Sequence, residues 1–208
     1  MTTLALATEA RVILEGVRWQ TYAGLLADLS AHRKARLAYD HGTLEIMTPY
    51  FAHEWLNRLL ADIITALAFG KHLPIEQAGS TTFRREDVAR GFEPDSCFYF
   101  GDQAIAMRGR DQVDLHTDPP PALVVEIDLT HPSLDKFPIY AALGVTEVWR
   151  FDGQCVWFYQ RETQGYTPTD ISAVLDGVTT QDITAFIERG RQTDRQVLFD
   201  EVRAWAGR

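Results

Sequence analysis

A chain of 208 residues with 46% hydrophobic content, including 11 Phe, 7 Tyr and 5 Trp, is long and apolar enough to bury the core of one ordinary domain over 1–208. No stretch of about 18 consecutive apolar residues occurs, which excludes a membrane-spanning helix. The net charge of −9 is uneven: of 20 Lys+Arg and 29 Asp+Glu, residues 1–92 hold ten of each and residues 93–208 hold ten and nineteen. The acidic half is therefore a poor general surface for a polyanion, but it suits carboxylates gathered round a metal.

In chain order, Met1–Glu9 has neither the basic n-region nor the apolar h-region of a secretory signal, so a cytoplasmic protein is expected. Residues 11–29 read as a lead-in and a short helix, with Trp19, Tyr22, Leu25, Leu26 and Leu29 at helical spacing. Leu37–Tyr39 and Thr43–Met47 flank Asp40-His41-Gly42, which predicts a tight β-hairpin, and Pro49 ends its second strand. The clearest helix covers about 52–69. Its residues Trp55, Leu56, Leu59, Leu60, Ile63, Ile64 and Leu67 form a broad apolar stripe, and Gly70 is a natural stop. His53-Glu54 fall in its first turn, where a glutamate also complements the helix dipole. The basic clusters Arg33-Lys34-Arg36 and Arg84-Arg85 read as solvated turns.

Ile75 to Phe83 reads as a strand, Arg84–Asp87 as a charged loop, and Ser96–Phe100 as a second strand reached through Pro94-Asp95. Residues 101–121 form a polar connection ending in the stiff run Asp118-Pro119-Pro120-Pro121. The apolar run Leu123-Val124-Val125 then opens a short strand. Alternation puts Val125 and Ile127 on one face and Glu126 and Asp128 on the other. Two acids on one face of an apolar strand are costly to bury without a cation between them. A divalent metal with oxygen ligands is the most economical such cation; the alternative is a frayed strand end in solvent.

Thr130–Ser133 reads as a loop with a helix N-cap at Ser133 or Thr130. The helix after it carries Lys136, Ile139, Tyr140 and Leu143 and stops at Gly144. Val145–Phe151 and Val156–Tyr159 pair about Gly153, their aromatics Trp149, Phe151, Trp157, Phe158 and Tyr159 serving as core and edge packing. Short strand material at Ile171–Leu175 and helical runs at 182–189 and 194–205 close the chain. Cys97 and Cys155, both in apolar strand-like runs, read as small buried thiols. The pattern is α+β with a mixed central sheet. The six histidines lack zinc spacing, and no Gly-x-Ser-x-Gly, P-loop or dinucleotide fingerprint occurs.

The succession of Glu54 on a helix, Pro94-Asp95, Glu126-x-Asp128 on a strand and then Lys136 on a helix resembles the PD-(D/E)xK nuclease superfamily. More closely, Gly42–Met47 with Pro49, His53-Glu54, Pro94-Asp95, Pro119–Pro121 with Leu123–Ile127, Asp135-Lys136 with Tyr140, and Gly144-Val145 with Glu147–Trp149 resemble the Uma2 family of endonucleases. The likeness spans about residues 19–160, leaving 161–208 as a C-terminal strand and helices. It implies a restriction-endonuclease-like core: an α/β-like mixed sheet flanked by helices, with an N-terminal β-hairpin. It also implies hydrolysis of DNA phosphodiester bonds with Mg²⁺ or Mn²⁺ held by Asp95, Glu126 and Glu54. Lys136 would orient or deprotonate the attacking water and stabilise the developing charge.

One position departs from the superfamily pattern. Two residues after the strand glutamate, where a lysine is expected, stands Asp128, and Lys136 is the migrated substitute. Asp128 is then either an additional ligand or a competitor for Lys136. Taken alone, Lys136 would read as a surface lysine paired with Asp135 or Glu147. Restriction-type nucleases often pair, and the aromatic hairpin offers a surface for a homodimer. The alternative to a nuclease is a nuclease-like fold without catalysis that serves as an interaction module; it predicts acids held apart or neutralised by internal arginines. A carboxylate-pair glycosidase has no support beyond the acids themselves.

Overall fold

The computed structural model describes residues 10–29, 35–129 and 134–208. The expectations placed on Met1–Glu9, on Arg33-Lys34 and on the Thr130–Ser133 loop with its cap lie outside these residues. The first half of the chain runs β1 (Ala10–Leu14), α1 (Trp19–Leu29), β2 (Arg36–Asp40), β3 (Thr43–Thr48), α2 (Phe51–Gly70), β4 (Ile75–Gln77), β5 (Phe83–Arg85), β6 (Arg90–Phe92) and β7 (Ser96–Phe100). The second runs α3 (Gly101–Met107), β8 (Leu123–Ile127), α4 (Phe137–Leu143), β9 (Glu147–Phe151), β10 (Val156–Glu162), β11 (Gly165–Thr169), α5 (Thr180–Gly190) and α6 (Arg195–Ala206).

The strands form two sheets. One is antiparallel in the order β1-β3-β2-β6-β5. The other is mixed, in the order β11-β10-β9-β8-β7-β4, with β8 and β9 parallel and the remaining pairs antiparallel. The α+β class and the helix-flanked mixed sheet are as expected. The hairpin is more than an N-terminal appendage, since β1, β5 and β6 extend it into a second sheet. Its turn is a two-residue loop in which His41 and Gly42 both have positive φ, at 44° and 99°, the geometry that matches the right-handed twist of the flanking strands.

Alternation along the strands divides the interior. Leu123, Val125 and Ile127 pack with Trp149 and Phe151 against Leu59, Leu60, Ile63 and Ile64 of α2 and against Ile183, Ile187, Leu198 and Val202 of α5 and α6. Each fully buried aliphatic side chain here contributes about 1.5–3 kcal/mol. The opposite face, with Val124 and Val148, meets Ile139, Tyr140 and Leu143 of α4 and Ala38, Phe83 and Phe92 of the five-stranded sheet. A third cluster seats Tyr22 and Leu26 of α1 on Leu37, Tyr39 and Leu44. Residues Arg36 and Ala38 of β2, with Glu45 and Met47 of β3, therefore turn their other face towards α4 and the end of β8.

Several local expectations are corrected. Residues 75–83 are two short strands rather than one, and Arg84 and Arg85 belong to β5 rather than to a loop. Residues 101–107 are helical, β1, β6 and β11 lie where no strand is expected, and Ile171–Leu175 is not a strand but a turning stretch in which only Ile171 bridges to Thr179. The short, polar or half-exposed runs of β1 and β11 carry little periodicity. Cys97 is buried as expected, but Cys155 is exposed. Of the aromatic hairpin, Trp149, Phe151 and Phe158 are buried and Trp157 is left on the surface.

Gly70 is the last residue of α2, as expected, but it ends the helix without a left-handed backbone; a Cβ built there would collide with the carbonyl oxygen of Arg203 and with Ala206 Cβ, so its bare backbone seats α6 on α2. Helix propensity alone would make Gly70→Ala stabilising by about 1 kcal/mol. We expect the reverse, a loss of about 1–3 kcal/mol from overpacking, visible as a lower thermal midpoint. An unchanged or raised midpoint would show that α6 does not bear on α2 as described.

Candidate active site

The site forms where the mixed sheet meets the five-stranded sheet. Pro94 leads the chain from β6 into β7, and because β7 runs antiparallel to β8, with Ser96 opposite Val125, Asp95 stands beside Glu126 and Ile127. The contact is direct: Asp95 Oδ2 accepts the backbone N–H of Ile127 at 2.7 Å. The Asp95 backbone is fixed from the other side by α2. Asn57 Nδ2 donates to the Asp95 carbonyl at 3.0 Å, and Asn57 Oδ1 accepts from Ser96 Oγ at 2.7 Å. His53, one turn before Asn57, brings Nε2 to 3.1 Å from Asp95 Oδ2. Across the sheet interface, Arg36 Nη1 lies 2.6 Å from Asp95 Oδ1 while Nη2 donates to Glu54 Oε1 at 2.5 Å.

Asp95 is thus a buried carboxylate supported on all sides. Burial pushes its pKa up. The His53 hydrogen bond and the charges of Arg36, His53 and Lys136 outweigh burial and hold the group down at about 2. Arg36 is only 11% exposed and is held charged: burial would lower its pKa, but Asp95 and Glu54 raise it further.

Glu126 is buried on the same strand face as Asp128 and meets two groups from the start of α4. Lys136 Nζ donates to Glu126 Oε2 at 2.9 Å, and Tyr140 O–H donates to Glu126 Oε1 in a short bond. Burial, together with Asp95, raises the Glu126 pKa against the opposing pull of Lys136. Lys136 also lies 4.0 Å from Glu45 Oε1 of β3, whose other oxygen lies 3.5 Å from Arg11 Nη1 and accepts the backbone N–H of Leu134. Burial would lower the Lys136 pKa, but Glu126, Glu45 and Asp95 outweigh it and raise it.

Of the residues expected at the site, Asp95, Glu126 and Lys136 are brought together. Glu54 stands apart from them: it is joined to Asp95 only through the Arg36 guanidinium, and its side chain is 34% exposed. Asp128 pairs with Arg150 of β9 rather than with Lys136, so it does not draw the lysine away from Glu126. Nor does Lys136 pair with Glu147. That residue is fully buried and accepts instead from Trp149 Nε1 and the backbone N–H groups of Ala173 and Val174.

Arg36, His53 and Tyr140 were not assigned roles from the sequence. Arg36 lies next to Arg33 and Lys34 in the sequence and reads there as part of a solvated cluster, yet its place in β2 turns it inward. The available signal for His53 was its spacing from Asn57 and Leu60, which extends the buried stripe of α2 with polar groups.

Two hard carboxylates that converge from neighbouring strands suit Mg²⁺ or Mn²⁺, which bind through one or two protein carboxylates and complete their shell with water and substrate phosphate. Among the described residues no group of three or more His, Cys, Asp or Glu is placed to hold a metal ion. Such a site would therefore rest on Asp95 and Glu126 rather than on the three carboxylates first expected. A further acceptor stands nearby: Asp128 Oδ1 is buried with no hydrogen-bond partner among the described residues. The Arg36 and Lys136 cations already stand against Asp95 and Glu126 in the compensating positions.

Comparison with known proteins matches residues 19–194 to the family described as "Uma2: Putative restriction endonuclease". Proteins of curated function give no significant match. Among solved structures, one described as a "putative nuclease belonging to DUF820 from Anabaena variabilis ATCC 29413" superposes with a TM-score of 0.48 at 10% sequence identity, covering 73% of this chain and 90% of that one.

The Asp95 environment has a consequence for acid stability. A carboxyl held near 2, against an ordinary 3.8, contributes stability that is complete above the ordinary value and disappears as pH falls through the folded one. The contribution is about 2 kcal/mol. Urea unfolding in chelator should therefore show stability falling between about pH 4 and pH 2. Asp95→Asn should be less stable at neutral pH and lose that part of the acid slope. An identical acid slope in the variant would contradict the described environment.

Proposed function

Because the chain belongs to the Uma2 family, we propose that it is a metal-dependent endonuclease that hydrolyses DNA phosphodiester bonds, with Mg²⁺ or Mn²⁺ held by Asp95 and Glu126. The observation that carries this reading is the convergence of three groups from three elements. Asp95 Oδ2 is bonded to the Ile127 N–H, and Lys136 Nζ stands 2.9 Å from Glu126 Oε2.

When bound, the metal would supply a water acidified towards neutral pH and charge neutralisation at the scissile phosphate. The chain's own residues do the remaining work. His53, Asn57 and the Ile127 N–H fix Asp95, and Tyr140 fixes Glu126. Lys136, held protonated by Glu126, Glu45 and Asp95, stabilises negative charge on the phosphoryl oxygens. Its Nζ, 2.9 Å from Glu126 Oε2, is also placed to orient or deprotonate the attacking water.

Residues 1–208 are taken as one domain, since α5 and α6 share the core with β8 and β9. The reading also takes in a cytoplasmic location, where DNA is available, and a homodimer, whose two sites would cut both strands of a duplex. Among the described residues no helix is long and apolar enough to cross a membrane.

A second reading has a specific observation in its favour. Arg36 at Asp95 is an internal arginine that neutralises one of the acids, as a nuclease-like fold without catalysis would have. Cleavage of plasmid DNA with Mg²⁺ or Mn²⁺ separates the two. We expect cleavage by the wild type, none by Asp95→Ala or Glu126→Gln, and a loss of about 10²–10³-fold in kcat for Lys136→Ala. A folded wild type that cuts no DNA with either metal would leave the interaction module as the reading.

A further inference from the structure

A cavity of about 440 Å³ opens beside the site, lined among others by Glu126, Asp128, Lys136, Phe137 and Arg150. We propose that Arg150 is a phosphate-binding residue in this cavity, which holds the nucleic-acid backbone next to the scissile position and is itself positioned by Asp128 and Phe137. The inference rests on the nuclease reading for its substrate class.

Register carries the first step. β8 and β9 are parallel with Glu126 directly opposite Arg150, and residues opposite one another in neighbouring strands project from the same face. The backbone N–H of Asp128 continues the ladder to the Phe151 carbonyl at 2.8 Å. Glu126, Asp128 and Arg150 therefore share one face at the carboxyl end of two parallel strands. The chain lacks a cation at position 128 and instead carries an acid there, with an arginine supplied by the adjacent strand and bonded to it.

The state of Arg150 carries the second step. Its side chain is 29% exposed and Asp128's is 12% exposed. The guanidinium lies over the Phe137 ring, with Cζ 5.6 Å from the ring centre, a favourable cation–π contact. Burial would lower its pKa, but the bond and the charge of Asp128 hold it above the ordinary value. Asp128 takes Nη2, and a guanidinium carries five N–H donors. The other cations of the cavity are less exposed, at 15% each: Lys136 lies between Glu126 and Glu45, and Arg11 lies against Glu45. A planar, oriented, partly exposed fork suits a phosphodiester oxygen pair. In a protein of net charge −9, the general surface does not attract a polyanion, so a local cation of this kind matters more.

The test measures binding of a fluorescein-labelled 20-base-pair duplex in chelator over a salt series, for wild type, Arg150→Gln, Arg150→Lys and Arg108→Gln. Arg108 pairs with Glu76 at the far edge of the mixed sheet and serves as the control. We expect Arg150→Gln to bind at least 5-fold more weakly and to lose about 0.9 from the slope of log K against log salt, the value of one phosphate contact. Arg150→Lys should keep the slope, and Arg108→Gln should match the wild type. An unchanged slope and affinity in Arg150→Gln, with a lowered melting temperature, would make the pair purely structural and overturn the inference. So would a wild type that does not bind the duplex. Arg150-dependent binding without cleavage by the wild type would sink the nuclease reading and leave this inference standing. Cleavage with an unchanged KM and salt slope in Arg150→Gln would do the opposite.

Discussion

The structure turns on one buried ion pair. Arg36 belongs to the five-stranded sheet and Asp95 immediately precedes β7 of the mixed sheet, and their side chains meet at 2.6 Å with little access to solvent. Taking either charge out of water alone costs several kcal/mol, and a pair compensates only with good geometry and further hydrogen bonds. Such support is present: the Ile127 N–H donates to Asp95 Oδ2, His53 Nε2 lies 3.1 Å from the same oxygen, and Glu54 accepts from the second Arg36 nitrogen. The docking of the two sheets and the placement of the candidate catalytic carboxylate are therefore a single constraint. A change that separates the sheets moves Asp95, and a change at Asp95 leaves a guanidinium buried without its partner.

The same pair creates the tension at the centre of the functional reading. A site that gathers Asp95 and Glu126 must offset their mutual repulsion, and in this chain Arg36 and Lys136 do so from opposite sides. Internal cations of this kind are compatible with two histories. They stabilise a site that a divalent ion enters by relieving the same repulsion, or they make the acids permanently structural. The position of Lys136 favours the first. A lysine placed between Glu126 and Glu45, at the border of a cavity of about 440 Å³, is more than packing alone requires.

Much of this was legible in the sequence, and the reasons are local. The stripe of α2, the His41-Gly42 turn and the alternation of β8 each follow from periodicity or from backbone preference over a few residues. The order of Asp95, Glu126 and Lys136 was recoverable because each sits at a distinctive point: after a proline, within an apolar strand, and at a helix start. What could not be read was pairing across distance. Arg36 and Asp95 are 59 positions apart, and nothing in the run before β2 distinguishes a solvated arginine from one facing inward until the strand's partners are known. Arg150 is hidden in the same way, since only the parallel register sets it against Glu126. Gly70 shows the limit of a local rule: its position at a helix end matches a stop signal, while its function is close packing against α6.

Isothermal titration with Mn²⁺ on the wild type and on Asp95→Ala reaches the central claim most directly, because it asks whether the carboxylates accept a metal in competition with Arg36 and Lys136. The account predicts binding to the wild type that disappears in the variant. A wild type that takes up no Mn²⁺ at millimolar concentration would contradict it, and would identify the buried pair as a purely structural device.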